Sequence, residues 1–140
     1  MRSKFLVIGA LCLLMAGCRA PVSLESFVKG SGPYAFDLDL SDTTVVYDLD
    51  FYTMLDAPVA RGEMPLVVHW KAPSGALYSE TVYLPLSGGS GFPGSPQVRA
   101  PYRSGVSPEE PGRWTMAVSV PDTVSVPGLL GLGLVVTRRQ

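Results

Sequence analysis

Residues 113–120 read RWTMAVSV, and this stretch decides the fold because apolar and polar side chains alternate along it without a break. The apolar set is Trp114, Met116, Val118 and Val120, and the intervening set is Arg113, Thr115, Ala117 and Ser119. Successive side chains of a β-strand point to opposite faces, so a period of two predicts a strand with one buried face. We therefore expect Trp114 and its three apolar companions to point into a core.

The same alternation recurs on both sides of this stretch. It is found in residues 34–40, 45–51, 66–70, 78–84 and 129–137, and one further short strand is expected within 97–111. The 15 glycines and 13 prolines supply turns and disfavour long helices. The pattern predicts an all-β domain, an antiparallel β-sandwich of about six to eight strands that is Ig-like or jelly-roll-like.

The last predicted strand has an unusual face. Leucines 130, 132 and 134 lie on one side of it, while Gly131 and Gly133 lie on the other. Glycine inside a strand indicates a bend or a close approach of another group. We therefore expect either that another group approaches these two glycines closely or that the strand bends there.

The amino terminus has the organisation of a lipoprotein signal peptide. Arg2 and Lys4 precede an apolar run at residues 5–15, which is shorter than the roughly 20 residues that a membrane-spanning helix needs. Residues 14–18 read LMAGC and resemble a bacterial lipobox, in which the cysteine becomes the acylated amino terminus. Cys18 is therefore the predicted lipidation site, and several acyl chains would anchor the protein stably in a membrane.

This interpretation divides the chain into three parts. We expect a lipoprotein signal peptide at 1–17, a lipidated tether at 18–33 and a β-sandwich domain at 34–140. Arg19 stands where an inner-membrane retention signal would place Asp, and no acidic run follows, which favours the periplasmic face of the outer membrane. The alternative is an ordinary secretory signal cleaved at Ala16 or Gly17, which would leave Cys18 free.

Composition argues against several functional classes. The chain has a net charge of −1, and loss of Arg2 and Lys4 with the signal peptide makes it −3, so no basic surface for nucleic acid is expected. Cys12 and Cys18 are the two cysteines, and His69 is the single histidine. Too few groups remain for a zinc site or a catalytic triad, so we expect no enzyme activity, no cofactor and no small-molecule substrate.

Four carboxylates suggest a different possibility. A turn centred on residues 42 and 43 would place Asp37 opposite Asp48 and bring Asp39 and Asp50 onto the same outer face. Opposed like charges destabilise a sheet, and a bound Ca²⁺ would relieve them. The alternative is a solvated face, or strands that are not paired in this way.

Two surfaces are candidates for binding. Residues 87–96 (SGGSGFPGSP) predict a long loop whose Phe92, with Gly91 and Gly94, could contact a partner; the sheet edges beside Trp114 are a second candidate. Tyr52, Tyr83 and Tyr102 are expected on outer faces or loops, where their rings could stack on sugars. The alternative is that these aromatic residues fill the core or cover sheet edges.

The carboxyl-terminal third resembles the gliding-motility-associated lipoprotein GldH family of Bacteroidetes. The resemblance is carried by residues 110–116 (EPGRWTM) and 126–134 (VPGLLGLGL), and residues 42–47 and 66–84 are also similar. The lipobox at Cys18 agrees with it. The family usually has a Trp-and-Gly loop after its middle hairpin, whereas residues 91–94 read GFPG without the Trp, which puts that contact in doubt.

The resemblance implies a noncatalytic envelope protein. Its expected partners are the membrane, through the lipid anchor, and other envelope proteins of a gliding or type IX secretion-like apparatus. The alternative is a glycan-binding β-sandwich lipoprotein of a polysaccharide-uptake or adhesion system.

Overall fold

The computed structural model describes residues 22–56, 62–86 and 97–140. The predicted lipidation site Cys18 and the predicted contact residues Gly91, Phe92 and Gly94 lie outside the described residues. Within them there are eight strands: β1 (Val22–Lys29), β2 (Tyr34–Asp39), β3 (Val46–Leu55), β4 (Glu63–Lys71), β5 (Leu77–Pro85), β6 (Gln97–Val106), β7 (Arg113–Ser119) and β8 (Leu129–Arg139). None of the described residues form a helix long and apolar enough to cross a membrane.

The strands form two antiparallel sheets of four. Sheet 1 has the order β1-β8-β3-β6 and sheet 2 has the order β2-β7-β4-β5. The pairs β1–β8, β2–β7, β3–β6 and β4–β5 are nested, as if one long hairpin had been folded over on itself. The predicted β-sandwich is confirmed, and this nested order is that of a jelly roll rather than of an Ig domain.

The core lies between the two sheets and consists of the alternating inward side chains. Met116 and Val118 of β7 are buried as predicted, and Trp114 is half-buried at the start of that strand. The largest fully buried side chains include Tyr34, Tyr47, Phe51, Leu49, Met64, Leu66 and Leu132, contributed by both sheets. Burial of this apolar area supplies the main favourable free energy of folding.

Two aromatic rings pack directly on the glycines of β8, as the sequence predicted. A Cβ atom on Gly133 would lie 2.0 Å from a ring carbon of Tyr52, and one on Gly131 would lie 2.4 Å from a ring carbon of Phe27. The two rings are themselves stacked, with centroids 5.8 Å apart. The outer face of sheet 1 is therefore closed by aromatic side chains that need the space left by glycine.

The predicted domain boundary differs from the structure. Residues 22–29, assigned above to the tether, form edge strand β1 and pair with β8 along their whole length. Their alternation is hard to see in the sequence because an edge strand leaves most of its side chains exposed. Seven of the eight residues of β1 are exposed. The sandwich therefore includes β1, and does not begin near Tyr34.

The predicted pairing of Asp37 with Asp48 is wrong. Asp37 lies on β2, opposite Thr115 in sheet 2, whereas Asp48 lies on β3, opposite Thr137 in sheet 1. Residues 40–45 cross from one sheet to the other instead of forming a tight hairpin. The carboxylates therefore lie on opposite faces of the sandwich, and the proposed calcium arrangement is lost.

The contact between Tyr52 and Gly133 gives a test of this fold. We expect Gly133→Ala to lower the free energy of unfolding by about 1–3 kcal/mol, because the added methyl group overpacks the site. The matched control is Gly62→Ala, where a Cβ would meet no atom within 4 Å, and its effect should stay within about 0.5 kcal/mol. Urea denaturation measures both.

A double variant completes this test. Tyr52→Ala removes the obstructing ring, so its cost combined with Gly133→Ala should be smaller than the sum of the two single costs. Equal unfolding free energies for Gly133→Ala and the wild type would contradict the proposed close packing.

Candidate functional site

A groove opens between the two sheets at one end of the sandwich. We call this the hairpin end, because it carries the β4–β5 turn at residues 72–76, the connections 40–45 and 107–112, the start of β1 and the end of β8. The groove has a volume of about 410 Å³. Its lining consists of Trp70, Tyr78 and Trp114, the aliphatic Leu40, Leu49 and Val106, and Arg103, Pro108, Glu109 and Glu110.

Strand register brings the aromatic residues together. Trp70 occupies the last inward position of β4 and pairs with Tyr78 of β5 on one side and Met116 of β7 on the other. Trp114 occupies the first inward position of β7. The rings of Trp70 and Trp114 meet edge-on with centroids 5.9 Å apart, and Tyr78 stacks on Trp114 at 6.2 Å.

The connection between β6 and β7 forms one wall of the groove. The backbone carbonyl of Glu110 accepts a hydrogen bond of 2.9 Å from Trp114 Nε1, and its carboxylate accepts one of 3.1 Å from the backbone amide of Ser74. Gly112 approaches Pro73 closely and has a φ of +143°, a conformation that other residues rarely adopt. The wall is thus fastened to the β4–β5 turn, which preorganises the groove.

Tyr102 is the polar centre behind the aromatic wall. Its hydroxyl accepts a hydrogen bond of 2.9 Å from Trp70 Nε1 and donates one to the carboxylate of Glu80. Arg103 binds both carboxylate oxygens of Glu80 at 2.7 Å. These contacts join β6 of sheet 1 to β5 of sheet 2 and close that side of the sandwich.

Burial and hydrogen bonding shift the protonation of this group. Burial raises the pKa of Tyr102, and its hydrogen bond to Glu80 raises it further. Burial also acts to raise the pKa of Glu80, but the hydrogen bonds from Tyr102 and Arg103 outweigh it and keep the pKa below its usual value. Glu80 therefore stays ionised at neutral pH and Tyr102 stays protonated, so the group acts as a structural clasp.

The groove is suited to binding by stacking and shape. Indole and phenol rings at its rim can cover a flat apolar face of a ligand, while Glu109 and Glu110 can accept hydrogen bonds beside it. His69 points away from the groove and is exposed on the outer face of sheet 2. In residues 22–56, 62–86 and 97–140 no group of three or more His, Cys, Asp or Glu is placed to hold a metal ion.

The outer face of sheet 1 is covered by polar interactions among its own side chains. Arg139 pairs with Asp48 at 2.7 Å, and Arg99 pairs with Asp50 at the same distance. The hydroxyls of Ser23 and Thr137 are hydrogen-bonded at 2.9 Å. These polar groups therefore bind one another, while the exposed apolar residues of sheet 1 include Leu24 of edge strand β1 and Leu130 of β8.

The outer face of sheet 2 is different. Its edge strand β5 exposes 77% of Leu77 and 63% of Tyr83. The backbone of β5 pairs with β4 on one side, and no described strand is hydrogen-bonded to its other side. Free backbone groups beside exposed apolar side chains are the features of an edge that can accept another strand.

The predicted aromatic contact residues fall into three environments. Tyr83 is exposed on an outer face, as predicted. Tyr52 lies on an outer face, as predicted, but is 4% exposed beneath Phe27. Tyr102 points inward, so its predicted place on an outer face or loop is wrong, and both rings fit the alternative that such residues fill the core or cover the sheets. The prediction of a sheet edge beside Trp114 is also wrong, because Trp114 lies on β7, and β7 is an interior strand between β2 and β4.

Sequence reasoning missed the groove. Alternation predicts an inward position for Trp114 and, within residues 66–70, for Trp70, and both side chains do point inward. Each is the inward residue nearest to a strand end at the same end of the sandwich, where the opposite sheet no longer covers it fully. The usable signal was therefore the position of each Trp beside a turn, at 72–76 and 107–112.

Comparison with known proteins leaves the family open. No family model and no curated protein sequence matches the chain. Among solved structures, the Yersinia pseudotuberculosis-derived mitogen is 7% identical, with 88% of each chain aligned and a TM-score of 0.36. A chain from infectious bursal disease virus, Gx strain, is 9% identical, with 85% of this chain and 32% of that chain aligned and a TM-score of 0.28. At these scores neither likeness bears on the function.

The ion pair on sheet 1 gives a pH test. The Arg139 guanidinium, with the Gly105 amide, lowers the pKa of Asp48 from its usual 3.8 to about 2. A lowered pKa in the folded state stabilises the protein above the usual pKa, and this stabilisation is lost as the pH falls from about 4 to about 2. We expect Asp48→Asn to flatten the decline in unfolding free energy across that window.

The control for this test is Asp37→Asn, which changes an exposed carboxylate on the outer face of sheet 2. It should retain the wild-type slope. Thermal unfolding monitored by circular dichroism from pH 2 to pH 7 gives the slopes, and an unchanged slope in Asp48→Asn would refute the role of this pair.

Proposed function

We propose that the protein is a noncatalytic lipoprotein of the bacterial outer membrane that binds another envelope protein through edge strand β5 and the outer face of sheet 2. The lipobox at residues 14–18, with Cys18 as the acylated residue, supports the membrane anchor. The resemblance of residues 110–116 and 126–134 to the gliding-motility lipoprotein GldH family supports a setting in a gliding or type IX secretion-like apparatus.

The observation that carries the protein-binding proposal is the openness of β5. Its nine residues include one charged residue, Glu80, and that side chain is turned toward Arg103. Edge strands that avoid unwanted pairing usually carry lysine, proline or a bulge along their length. Within β5 the single proline is Pro85, the last residue of the strand.

The neighbouring edge strand β6 shows what such protection looks like. It contains Pro101 and Gly105, and its register with β3 shifts near Leu49. Arg99 and Arg103 add charge along it. Since β6 is protected in several ways and β5 is not, β5 is the more open of these two neighbouring edges.

The outer face beside β5 suits a protein partner. Pro65 and Val67 of β4 lie opposite Tyr83 and Thr81 of β5, and Ala117 of β7 continues the same surface. Small and apolar residues in a flat patch allow close packing of a second sheet or an extended segment. A lipid anchor confines both partners to one plane, which raises their effective concentration, so a modest interface suffices.

Residues 87–96 follow β5 directly and could extend this contact. Gly91, Phe92 and Gly94 belong to this segment and stay predicted contact residues. Phe92 would supply an aromatic side chain to such a contact.

Site-specific photo-crosslinking tests this proposal. A photoreactive amino acid at position 81, on the exposed side of β5, should give an adduct with an envelope protein in intact cells. The same amino acid at position 25, on edge strand β1, is the control and should give little of that adduct. Tyr83→Ala should reduce the position-81 adduct, because it removes the largest exposed ring of this face. Equal adducts at both positions, or an adduct insensitive to Tyr83→Ala, would argue against the β5 interface.

The groove favours a second candidate function, glycan binding. Tyr78 is half exposed at the rim of the groove, and one face of its ring stacks on Trp114. A sugar ring can stack on the exposed part of the same aromatic pair. Affinity electrophoresis in polysaccharide gels should then show that Tyr78→Ala weakens retardation, whereas Tyr83→Ala does not. Loss of a stacking contact that contributes roughly 1 kcal/mol to the binding free energy weakens binding roughly fivefold. Absence of retardation of the wild type across envelope polysaccharides would exclude this candidate.

A further inference from the structure

The position of β1 relates the proposed anchor to one end of the sandwich. Val22, the first residue of β1, pairs with Arg138 near the end of β8, which places it at the hairpin end. Three residues separate Cys18 from Val22, so covalent geometry limits the distance between their Cα atoms to about 14 Å. Strands β4 and β5 have nine residues each and therefore extend for roughly 30 Å. An anchor at Cys18 is thus attached at the hairpin end, and the opposite end lies the length of a strand away from the point of attachment.

The side chains at the hairpin end suit the interface between lipid and water. Both tryptophans of the chain, Trp70 and Trp114, lie there with Tyr78 beside them. Trp and Tyr combine an apolar ring with a polar group and are enriched at membrane interfaces. Leu77 and Val22 add exposed apolar surface at the same end, with exposed fractions of 77% and 50%.

Charge is distributed unevenly between the two ends. Lys71, Arg113, Arg138 and Arg139 all lie at the hairpin end, where cations can approach lipid phosphates. Glu109 and Glu110 share this end, together with Asp39, Asp42 and Asp48, so these five carboxylates offset the four cations and the anchor supplies the affinity for the membrane. The opposite end carries Lys29 together with Asp56, Glu63 and Asp122, so acidic groups outnumber basic ones among the described residues there.

We infer that the hairpin end is the membrane-facing surface of the domain, with the aromatic rim of the groove in the phospholipid headgroup layer. This inference rests on the proposed acylation of Cys18. The strands then rise from the membrane, and Leu86 and Gln97, which flank residues 87–96, lie at the end farthest from it. The outer face of sheet 2 is then roughly perpendicular to the membrane plane, where a neighbouring anchored protein can reach it.

Site-specific labelling of the mature lipoprotein tests this orientation. Cys12 leaves with the signal peptide and Cys18 is acylated, so a cysteine introduced elsewhere is the single reactive thiol. Ser74→Cys in the β4–β5 turn and Ser125→Cys at the opposite end are matched variants, because both serines are exposed and lie outside strands. Each is labelled with an environment-sensitive fluorophore and reconstituted into vesicles of phosphatidylethanolamine and phosphatidylglycerol that contain a lipid with a nitroxide on its headgroup.

The expected result is strong quenching and a blue shift of emission for the label at position 74. The label at position 125 should emit about as strongly as the same labelled protein on vesicles without the nitroxide lipid. Equal quenching at both positions, stronger quenching at 125, or no quenching of a protein that floats with the vesicles would overturn the orientation while leaving the anchor intact.

Acylation is measured separately on the same preparations. The mass of the mature chain and its flotation with vesicles should both be altered by Cys18→Ser and unaffected by Cys12→Ser. A mature chain that carries no acyl groups and does not float would refute the anchor, and the inferred orientation would fail with it. The two failures are therefore distinguishable.

Discussion

The rest of the structure depends on the close contact between β8 and the two aromatic rings above it. Gly131 and Gly133 leave the space that Phe27 and Tyr52 occupy, and so allow β1 to be held against β8 while β3 pairs on the other side. Burial of Tyr52, together with its hydrogen bond to Glu25, raises the pKa of Tyr52 to about 12. Since β8 joins the first strand to the centre of sheet 1, this contact also determines where the chain leaves toward Cys18.

The two outer faces differ chemically because their side chains have different partners. On the outer face of sheet 1, carboxylates and guanidinium groups bind one another. On sheet 2, exposed Leu77 and Tyr83 flank an edge with free backbone groups, which is the more favourable surface for a protein contact. The groove at the hairpin end is a third surface, and its aromatic rim is held in place by the clasp formed by Tyr102, Glu80 and Arg103.

Several features were predictable because they depend on neighbours in sequence. Alternation identified β7 and the inward direction of Met116 and Val118, and the turn at residues 72–76 correctly joined β4 to β5. β1 was missed because its exposure hides the period of two. The residues of the groove come from five strands and two connections, so their proximity depends on contacts between residues far apart in the chain.

The sequence by itself determined that the chain forms strands, where most of them lie and which side chains face inward, because strand periodicity is a local property of the backbone. The lipobox-like motif at residues 14–18 is also a local feature, because it consists of five consecutive residues. The tertiary structure alone decided that β2 and β3 lie in different sheets, that Asp37 and Asp48 are on opposite faces, and that Trp70, Tyr78 and Trp114 meet at one end. Local pattern cannot specify these, because a strand of the same sequence can pair with several partners, and the choice is made by packing of the whole core and closure of the long connections.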